Sequence, residues 1–149
     1  MGGSMMELRV PAGVMDAPSF GERAAELAVE APFQRPRILE GIGAARYEAA
    51  TGRRLERPTP VDPSYDFRDV ELDARIDLKG PLPPRGGPVP DDRVAGLIEA
   101  VVWESNISSG CDMVLIDTLG LTEAQRGRVR AAVGARVRTD KVIAFLEDG

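Results

Sequence analysis

The tripeptide Asp77-Leu78-Lys79 contains one of only two lysines in a chain whose other 17 basic residues are arginines. On a strand, residues two apart point to the same face, so this carboxylate and this ammonium group would lie side by side. A metal-binding carboxylate beside the compact charge of a lysine can position a water molecule and stabilise a phosphorane-like transition state. The tripeptide is therefore the feature of the sequence with the clearest chemical meaning.

The residue types that the chain lacks narrow the possible chemistry. The sequence contains no histidine, which excludes Ser-His-Asp and Cys-His catalysis and the histidine-dependent zinc sites. Cys111 is the only cysteine, so neither an internal disulfide nor a thiolate zinc cluster can form. We interpret Cys111 as a partly buried small residue before a strand. The groups left for catalysis are carboxylates, a lysine and a bound cation.

Charge is distributed unevenly along a chain whose net charge is −5. Residues 33–57 carry six arginines against three acids, and residues 122–141 carry six basic residues against two acids. Residues 61–78, which lie between them, carry six acids against two arginines. This pattern predicts a cation site flanked by phosphate-binding surfaces, although solvated faces and turns would produce the same pattern.

Hydrophobic periodicity and turn residues divide the chain into two helices, two antiparallel strands, and then alternating helices and strands. The predicted helices cover residues 19–30, 36–51, 91–105 and 122–134, and the predicted strands cover residues 65–71, 74–79, 113–118 and 142–146. A helix joins the last two strands, which predicts a parallel right-handed crossover. We therefore expect an α/β fold with a central mixed β-sheet flanked by helices, preceded by an N-terminal helical extension.

Three acidic positions near the tripeptide are candidates to complete a cation site. Glu48 lies about 100° from the centre of the apolar stripe on its predicted helix, where a carboxylate can point into a cleft. Asp66 falls on the first hairpin strand, beside the strand that carries the tripeptide. Asp69 and Asp73 compete with Asp66 for this role, because an error of one residue in the register reverses the faces of a strand.

This arrangement resembles the PD-(D/E)XK nuclease family, in which a helix precedes a strand with an acid and a neighbouring strand with Asp-x-Lys. A long helix and a further strand then follow. The matching residues are Asp66 and the run Ile76-Asp77-Leu78-Lys79, and the resemblance covers about residues 36–146. Tyr65 precedes the first acid, where the family pattern has proline.

Within that superfamily, the chain is most similar to the C-terminal toxin domains of contact-dependent growth inhibition systems and related polymorphic toxins. The similar segments are Tyr65-Asp66-Phe67, Asp77-Leu78-Lys79-Gly80-Pro81, Met113-Val114-Leu115-Ile116-Asp117 and Val142-Ile143. The resemblance implies a secreted or delivered toxin that acts in the cytoplasm of a target cell and is neutralised by a cognate immunity protein. Several such toxins cut tRNA, which favours RNA, and tRNA in particular, as the substrate.

The resemblance also implies roles for four residues. Asp66 and Asp77 would bind Mg²⁺ or Mn²⁺, while Lys79 would orient the attacking water and stabilise negative charge. Glu48 would be the acid on the helix, binding the metal directly or through a water molecule. Three acids brought close together repel one another without a cation, which is a physical reason to expect one.

On the same basis, we expect three regions in the chain. Residues 1–6 would be a leader left by cloning together with the start, residues 7–32 the helical extension, and residues 33–149 the nuclease domain. No apolar run approaches 18 residues, and no basic segment followed by an apolar one opens the chain. We therefore predict neither a membrane-spanning helix nor a signal peptide.

Two other functions are compatible with the sequence. One is a non-catalytic α/β interaction module, such as an immunity or adaptor protein, which the negative net charge and Trp103 favour. Trp103 is predicted on the polar face of its helix, where it could stack on a base, contact a protein partner or be covered by the N-terminal helix. The other is a DNA nuclease of the same superfamily, since nothing in the sequence separates DNA from RNA.

Overall fold

A computed structural model of the protein describes residues 4–29, 37–83 and 86–149. Its strands are β1 (Met5–Val10), β2 (Leu55–Glu56), β3 (Phe67–Asp69), β4 (Ala74–Lys79), β5 (Met113–Asp117) and β6 (Val142–Asp148). Its helices are α1 (Pro18–Leu27), α2 (Ile38–Thr51), α3 (Asp91–Asn106) and α4 (Glu123–Arg136), with a short 3₁₀ turn at Val14–Asp16.

The strands form one six-stranded mixed sheet in the order β1-β6-β5-β4-β3-β2. The four strands from β1 to β4 in this order run parallel, while β3 is antiparallel to both β4 and β2. The predicted α/β class with a central mixed sheet is therefore confirmed, as is the parallel connection from β5 through α4 to β6.

The helices cover both faces of the sheet. Ile76 and Leu78 of β4 belong to the apolar core that includes α1 and α2, whereas Val114 and Ile116 of β5 pack with α3 and α4. Because side chains alternate along a strand, Asp77 and Lys79 point to the side of α3. Both faces of β5 are covered, and all five of its residues are buried.

Close approach of α2 to β4 depends on a glycine in the helix. A Cβ atom at Gly43 would lie 2.7 Å from Cδ2 of Leu78 and 3.3 Å from a carboxylate oxygen of Asp117. The absence of a side chain at this position lets α2 lie directly over the end of β4. The helix ends at Gly52, whose φ of 70° is the left-handed conformation that glycine adopts readily.

The N-terminal region differs from the predicted helical extension over residues 7–32. The segment Met5–Val10 is an edge strand, with Met5 aligned to Ile143 of β6, so this region supplies part of the sheet. The strand escapes detection because only Val10 is buried, which leaves no apolar alternation. Helix α1 forms at Pro18–Leu27 as predicted, but residues 30–36, with the expected end of this helix and the start of the next, lie outside the described residues.

The hairpin is shorter than predicted and has an additional partner. The first predicted strand, 65–71, is reduced to Phe67–Asp69, and β2 pairs with its outer edge. Asp73 occupies the turn with a φ of 52°. Among the described residues, no helix has the length and apolar character needed to cross a bilayer.

Candidate active site

The candidate site lies along the open edge of β4, where the antiparallel hairpin ends. The last paired residues of β3 and β4 are Phe67 and Ile76, whereas the pairing of β4 with β5 continues to Lys79. Asp77, Leu78 and Lys79 therefore have a strand neighbour on one side only. Their other side is available to side chains and ligands.

Asp66 occupies this open edge. Its backbone N–H donates to the carbonyl of Ile76 (2.9 Å), and its Oδ2 accepts a hydrogen bond from the N–H of Leu78 (2.8 Å). Continuation of the β3–β4 register places Asp66 opposite Asp77. The two carboxyl groups lie within hydrogen-bonding reach of each other.

The two competing acids of the hairpin have other partners. Asp69 is fully buried and accepts hydrogen bonds from the hydroxyl of Tyr47 (2.6 Å) and from Arg53 (2.8 Å). Asp73 lies in the exposed turn and pairs with Arg68. Asp66 is therefore the hairpin acid that the fold brings beside Asp77.

The juxtaposition of the buried Asp77 with the half-buried Asp66 changes the protonation of both carboxyl groups. Burial raises the pKa of Asp77 to about 7, the neighbouring Asp66 adds to this rise, and Lys79 opposes it. Burial also raises the pKa of Asp66, with a further contribution from the charge of Glu40. Without a cation, the pair retains a proton near neutral pH.

Lys79 is held between two acids from different elements. Its Nζ lies 2.9 Å from Oδ2 of Asp77 on β4 and 3.4 Å from Oε1 of Glu104 on α3. Burial acts to lower the pKa of Lys79, but Asp77 and Glu104 together raise it. The ammonium group is therefore charged, and its position is fixed from two sides.

Glu104 is a site residue that the sequence analysis missed. It is buried although it carries a charge, and it follows Val94, Leu97 and Val101 on the apolar side of α3. An acid that continues an apolar stripe at helical spacing is the signal that could have revealed it, because such a group needs a partner in the core.

The structure does not bring Glu48 beside Asp66 and Asp77. Its carboxylate receives two hydrogen bonds of 2.8 Å from Arg23 of α1 and one of 2.7 Å from the N–H of Leu55. These contacts tie α1, α2 and β2 together. The helical wheel correctly places Glu48 at the edge of the buried face, but α1, and not a cleft, covers that edge.

Glu40, two turns earlier on α2, is the helix acid that faces Asp66. Its charge contributes to the raised pKa of Asp66. Its Oε1 lies 3.0 Å from Nη2 of Arg57, and its Oε2 accepts a hydrogen bond from Arg37 at 3.4 Å. Glu40, rather than Glu48, is therefore the acid of α2 whose charge acts on Asp66.

A cleft of about 420 Å³ is lined by Lys79 and Glu40. It is bounded by the first turn of α2, the end of β4, the loop through Leu82 and the first half of α3, with Lys79 and Arg93 in its wall. Gly80 ends the strand with a φ of 81°, and a Cβ atom there would lie 2.6 Å from the carbonyl oxygen of Asp117. Glycine therefore allows the chain to leave the sheet immediately after Lys79.

Most arginines of the described chain are neutralised by carboxylates. Arginines in ion pairs are Arg9, Arg23, Arg37, Arg46, Arg53, Arg57, Arg68, Arg75, Arg126, Arg130 and Arg136. Of the six basic residues in 122–141, three pair with carboxylates: Arg126 and Arg130 with Glu147, and Arg136 with Glu99. Arg93 lines the cleft, and like Arg54, Arg128 and Arg138 it forms no ion pair with a carboxylate of a described residue.

Two neighbouring carboxylates suit a hard divalent cation. Among the residues that the structure describes, no group of three or more His, Cys, Asp or Glu side chains is arranged to hold a metal ion. Mg²⁺ requires less than that, since one or two carboxylates, several waters and a substrate phosphate complete its coordination. The donor types of Asp66 and Asp77 and their mutual repulsion therefore fit such an ion.

In comparisons with protein-family models, curated proteins and solved structures, nothing matches this chain. The functional argument therefore depends on the geometry of the site and on the sequence motif.

Proposed function

We propose that this protein is a metal-dependent nuclease that hydrolyses phosphodiester bonds in RNA, with tRNA as the favoured substrate. The observation that carries the proposal is the group formed by Asp66, Asp77 and Lys79 at the open edge of β4. Two carboxyl groups and an ammonium group in contact, beside a cleft, are suited to phosphoryl chemistry.

The order of the elements supports the same proposal. Helix α2 is followed by three antiparallel strands, β2 to β4, then by α3 and by β5, which is parallel to β4. Asp66 precedes the middle strand of the three, and the Asp-x-Lys motif lies on the third. This is the order of helix, strands, helix and strand on which the PD-(D/E)XK resemblance depends.

Asp66 and Asp77 would hold Mg²⁺ or Mn²⁺, which when bound supplies charge neutralisation at the phosphate and a more acidic water. Lys79 orients the attacking water and stabilises negative charge on the phosphate. Glu104 contributes by fixing the ammonium group of Lys79, and Glu40 is the third acid near the pair. The cleft beside Lys79 receives the substrate.

The biological setting that we propose follows from the resemblance to polymorphic toxins. The chain would be delivered into a target cell and act in its cytoplasm. The producing cell would protect itself with a cognate immunity protein.

The first test is a gel assay of the purified chain on total tRNA, bulk RNA and plasmid DNA, with Mg²⁺ and with EDTA. We expect metal-dependent cutting of RNA that Lys79→Ala and Asp77→Asn abolish while both variants remain folded by circular dichroism. Asp73→Asn is the matched control, since it removes an exposed hairpin acid at a left-handed position that asparagine tolerates. Full activity of Lys79→Ala would rule out this mechanism, and cutting confined to plasmid DNA would identify a DNA nuclease.

A non-catalytic interaction module is the second candidate, favoured by the exposed Trp103 of α3 and by the exposed Ile107 directly after it (58% and 67% exposed). Calorimetric titration with Mg²⁺ or Mn²⁺ separates the two functions. The nuclease should show binding that Asp77→Asn removes, whereas an interaction module should show none.

A further inference from the structure

Helix α3 carries one continuous stripe that begins in the cleft and ends on the open surface. The stripe, here called the α3 stripe, consists of Arg93, Gly96, Ala100 and Trp103 of α3 and of Ile107, which follows the helix directly as its C-cap. At 100° per residue these positions fall within an arc of about 80°, and they extend about 21 Å along the helix axis. The first three line the cleft beside Lys79, and the last two are exposed.

The exposed end of the stripe is formed by the indole of Trp103 and the side chain of Ile107. Trp103 is 58% exposed, so the N-terminal helix does not cover it, and α1 packs on α2 at the other face of the sheet. Ile107 lies one turn further along. Trp103 is about 4.5 Å beyond Ala100 along the axis, which makes it the immediate continuation of the cleft.

The charge distribution decides which nucleic acid fits this surface. A duplex is bound mainly by neutralising many phosphates, but most arginines here already pair with carboxylates, and the net charge is −5. Arg93 is the cleft-lining arginine for which no ion pair with a described residue is present. An arginine in the cleft wall without an ion pair to a described residue, next to an exposed indole, suits a strand whose bases are available for stacking.

We propose that the α3 stripe binds an unpaired nucleic-acid segment next to the bond to be cut. Trp103 stacks on a base of that segment, and Arg93 contacts a phosphate. The inference depends on the proposed nuclease function and adds to it a substrate class, namely loops and single strands in preference to duplex. Its basis is the continuity of Trp103 with the cleft that holds Lys79.

Tryptophan fluorescence of this protein reports on the contacts of Trp103 alone, because Trp103 is the only tryptophan in the sequence. The test titrates the intact chain in EDTA with an eight-nucleotide RNA, either single-stranded or annealed to its complement, and follows tryptophan fluorescence. We expect saturable quenching by the single strand and binding of the duplex that is weaker by about tenfold or more, since only an unpaired base offers its face. A labelled oligonucleotide gives the same affinities by polarisation.

Substitutions in the α3 stripe test whether this stripe binds the single strand. Trp103→Leu keeps an apolar side chain without the ring and should weaken single-strand binding by about tenfold, whereas Trp103→Phe should retain most of it. Arg93→Gln should reduce the slope of log Kd against log salt concentration by roughly 0.7. Leu72→Ala, at an exposed apolar residue in the β3–β4 turn, is the matched control and should leave binding unchanged.

The outcomes separate this inference from the nuclease itself. If Trp103→Leu binds the single strand as well as the parent chain, or if duplex binds equally, the inference is overturned even when Mg²⁺-dependent cutting is intact. The exposed patch would then be a protein-docking surface. If the single strand quenches Trp103 but no cutting occurs with Mg²⁺, the binding surface is supported and the nuclease function fails.

Discussion

Nζ of Lys79 lies 2.9 Å from Oδ2 of Asp77, and its other carboxylate neighbour is Glu104 of α3. The second lysine of the chain is used differently. Nζ of Lys141 donates to the backbone carbonyls of Glu104 (2.9 Å) and Ser105 (3.3 Å), and also to that of Ser108. Lys79 therefore contacts the side chain of Glu104 beside a cleft. Lys141 instead binds backbone carbonyls at the C-terminal end of α3, the helix that carries Glu104.

The first prediction concerns the pH dependence of stability without metal. The pKa of Asp77 rises from 3.8 to about 7 on folding, so its protonated form favours the folded state. This contribution is complete below about pH 4 and is lost as the pH rises towards 7, with an upper bound of about 4 kcal/mol at 1.4 kcal/mol per unit. Urea unfolding in EDTA should show greater stability at pH 5 than at pH 8.

Asp77→Asn should remove most of that difference, because the amide does not ionise. Asp73→Asn, which changes an exposed acid of the same hairpin, should leave it as in the parent chain. An unchanged difference in Asp77→Asn would show that Asp77 is ionised in the folded protein throughout this range.

The second prediction compares the loss of stability when Lys141 is replaced with the loss when Arg93 is replaced. Lys141→Met should lower the free energy of unfolding by about 1–3 kcal/mol, because it removes a charged donor from carbonyls at the end of α3. Arg93→Met, which removes a cation without an ion pair to a described residue, should change it by less than about 0.5 kcal/mol. Urea denaturation of both variants at pH 7 measures the two changes in the free energy of unfolding. Equal changes would contradict a structural role that Lys141 has and Arg93 lacks.

The third prediction concerns the reactivity of the single thiol. Cys111 is 4% exposed, and burial, followed by the charges of Asp77 and Glu104, raises its pKa to about 11. At pH 8 the thiolate fraction is then only about 0.1%, so an alkylating reagent should not label the folded chain. Unfolding in urea should give one label per chain, with Cys111→Ala as the background. Labelling of the folded protein at the same rate as the unfolded protein would show that the Cys111 thiol is accessible to the reagent in the folded state.

Much of the fold can be predicted from local sequence patterns. The apolar run in β5 indicates a strand covered on both faces, and the two-residue spacing of Asp77 and Lys79 places them on one face. The edge strand β1 cannot be predicted in this way, because an edge strand with one buried residue has no apolar alternation. Its place in the sheet is determined by pairing with β6, which is a contact between distant parts of the chain.

The site itself is only partly predictable. Asp66 is predicted from its place on the first hairpin strand and from the family pattern, but the sequence leaves Asp69 and Asp73 as competitors. The register that places Asp66 opposite Asp77 is given by the fold. Glu104 and Glu40 enter the site through the packing of α3 and α2 against the sheet. A helical wheel gives the direction of a side chain but not the element that the side chain contacts. For that reason the wheel suggested Glu48, whose side chain contacts α1 and β2.

The last prediction tests whether Glu40, and not Glu48, is the acid of α2 that supports cutting. Glu48→Gln weakens the part-buried hydrogen bonds to Arg23 and Leu55, so it should lower the free energy of unfolding by about 1–3 kcal/mol while folded protein still cuts RNA at the parent rate. Glu40→Gln removes the charge that faces Asp66 and should reduce cutting by about tenfold or more, within the range that electrostatic groups contribute to catalysis. Cutting rates per folded chain in Mg²⁺, beside urea unfolding curves for both variants, provide the comparison. Loss of cutting in Glu48→Gln with none in Glu40→Gln would restore Glu48 as the helix acid.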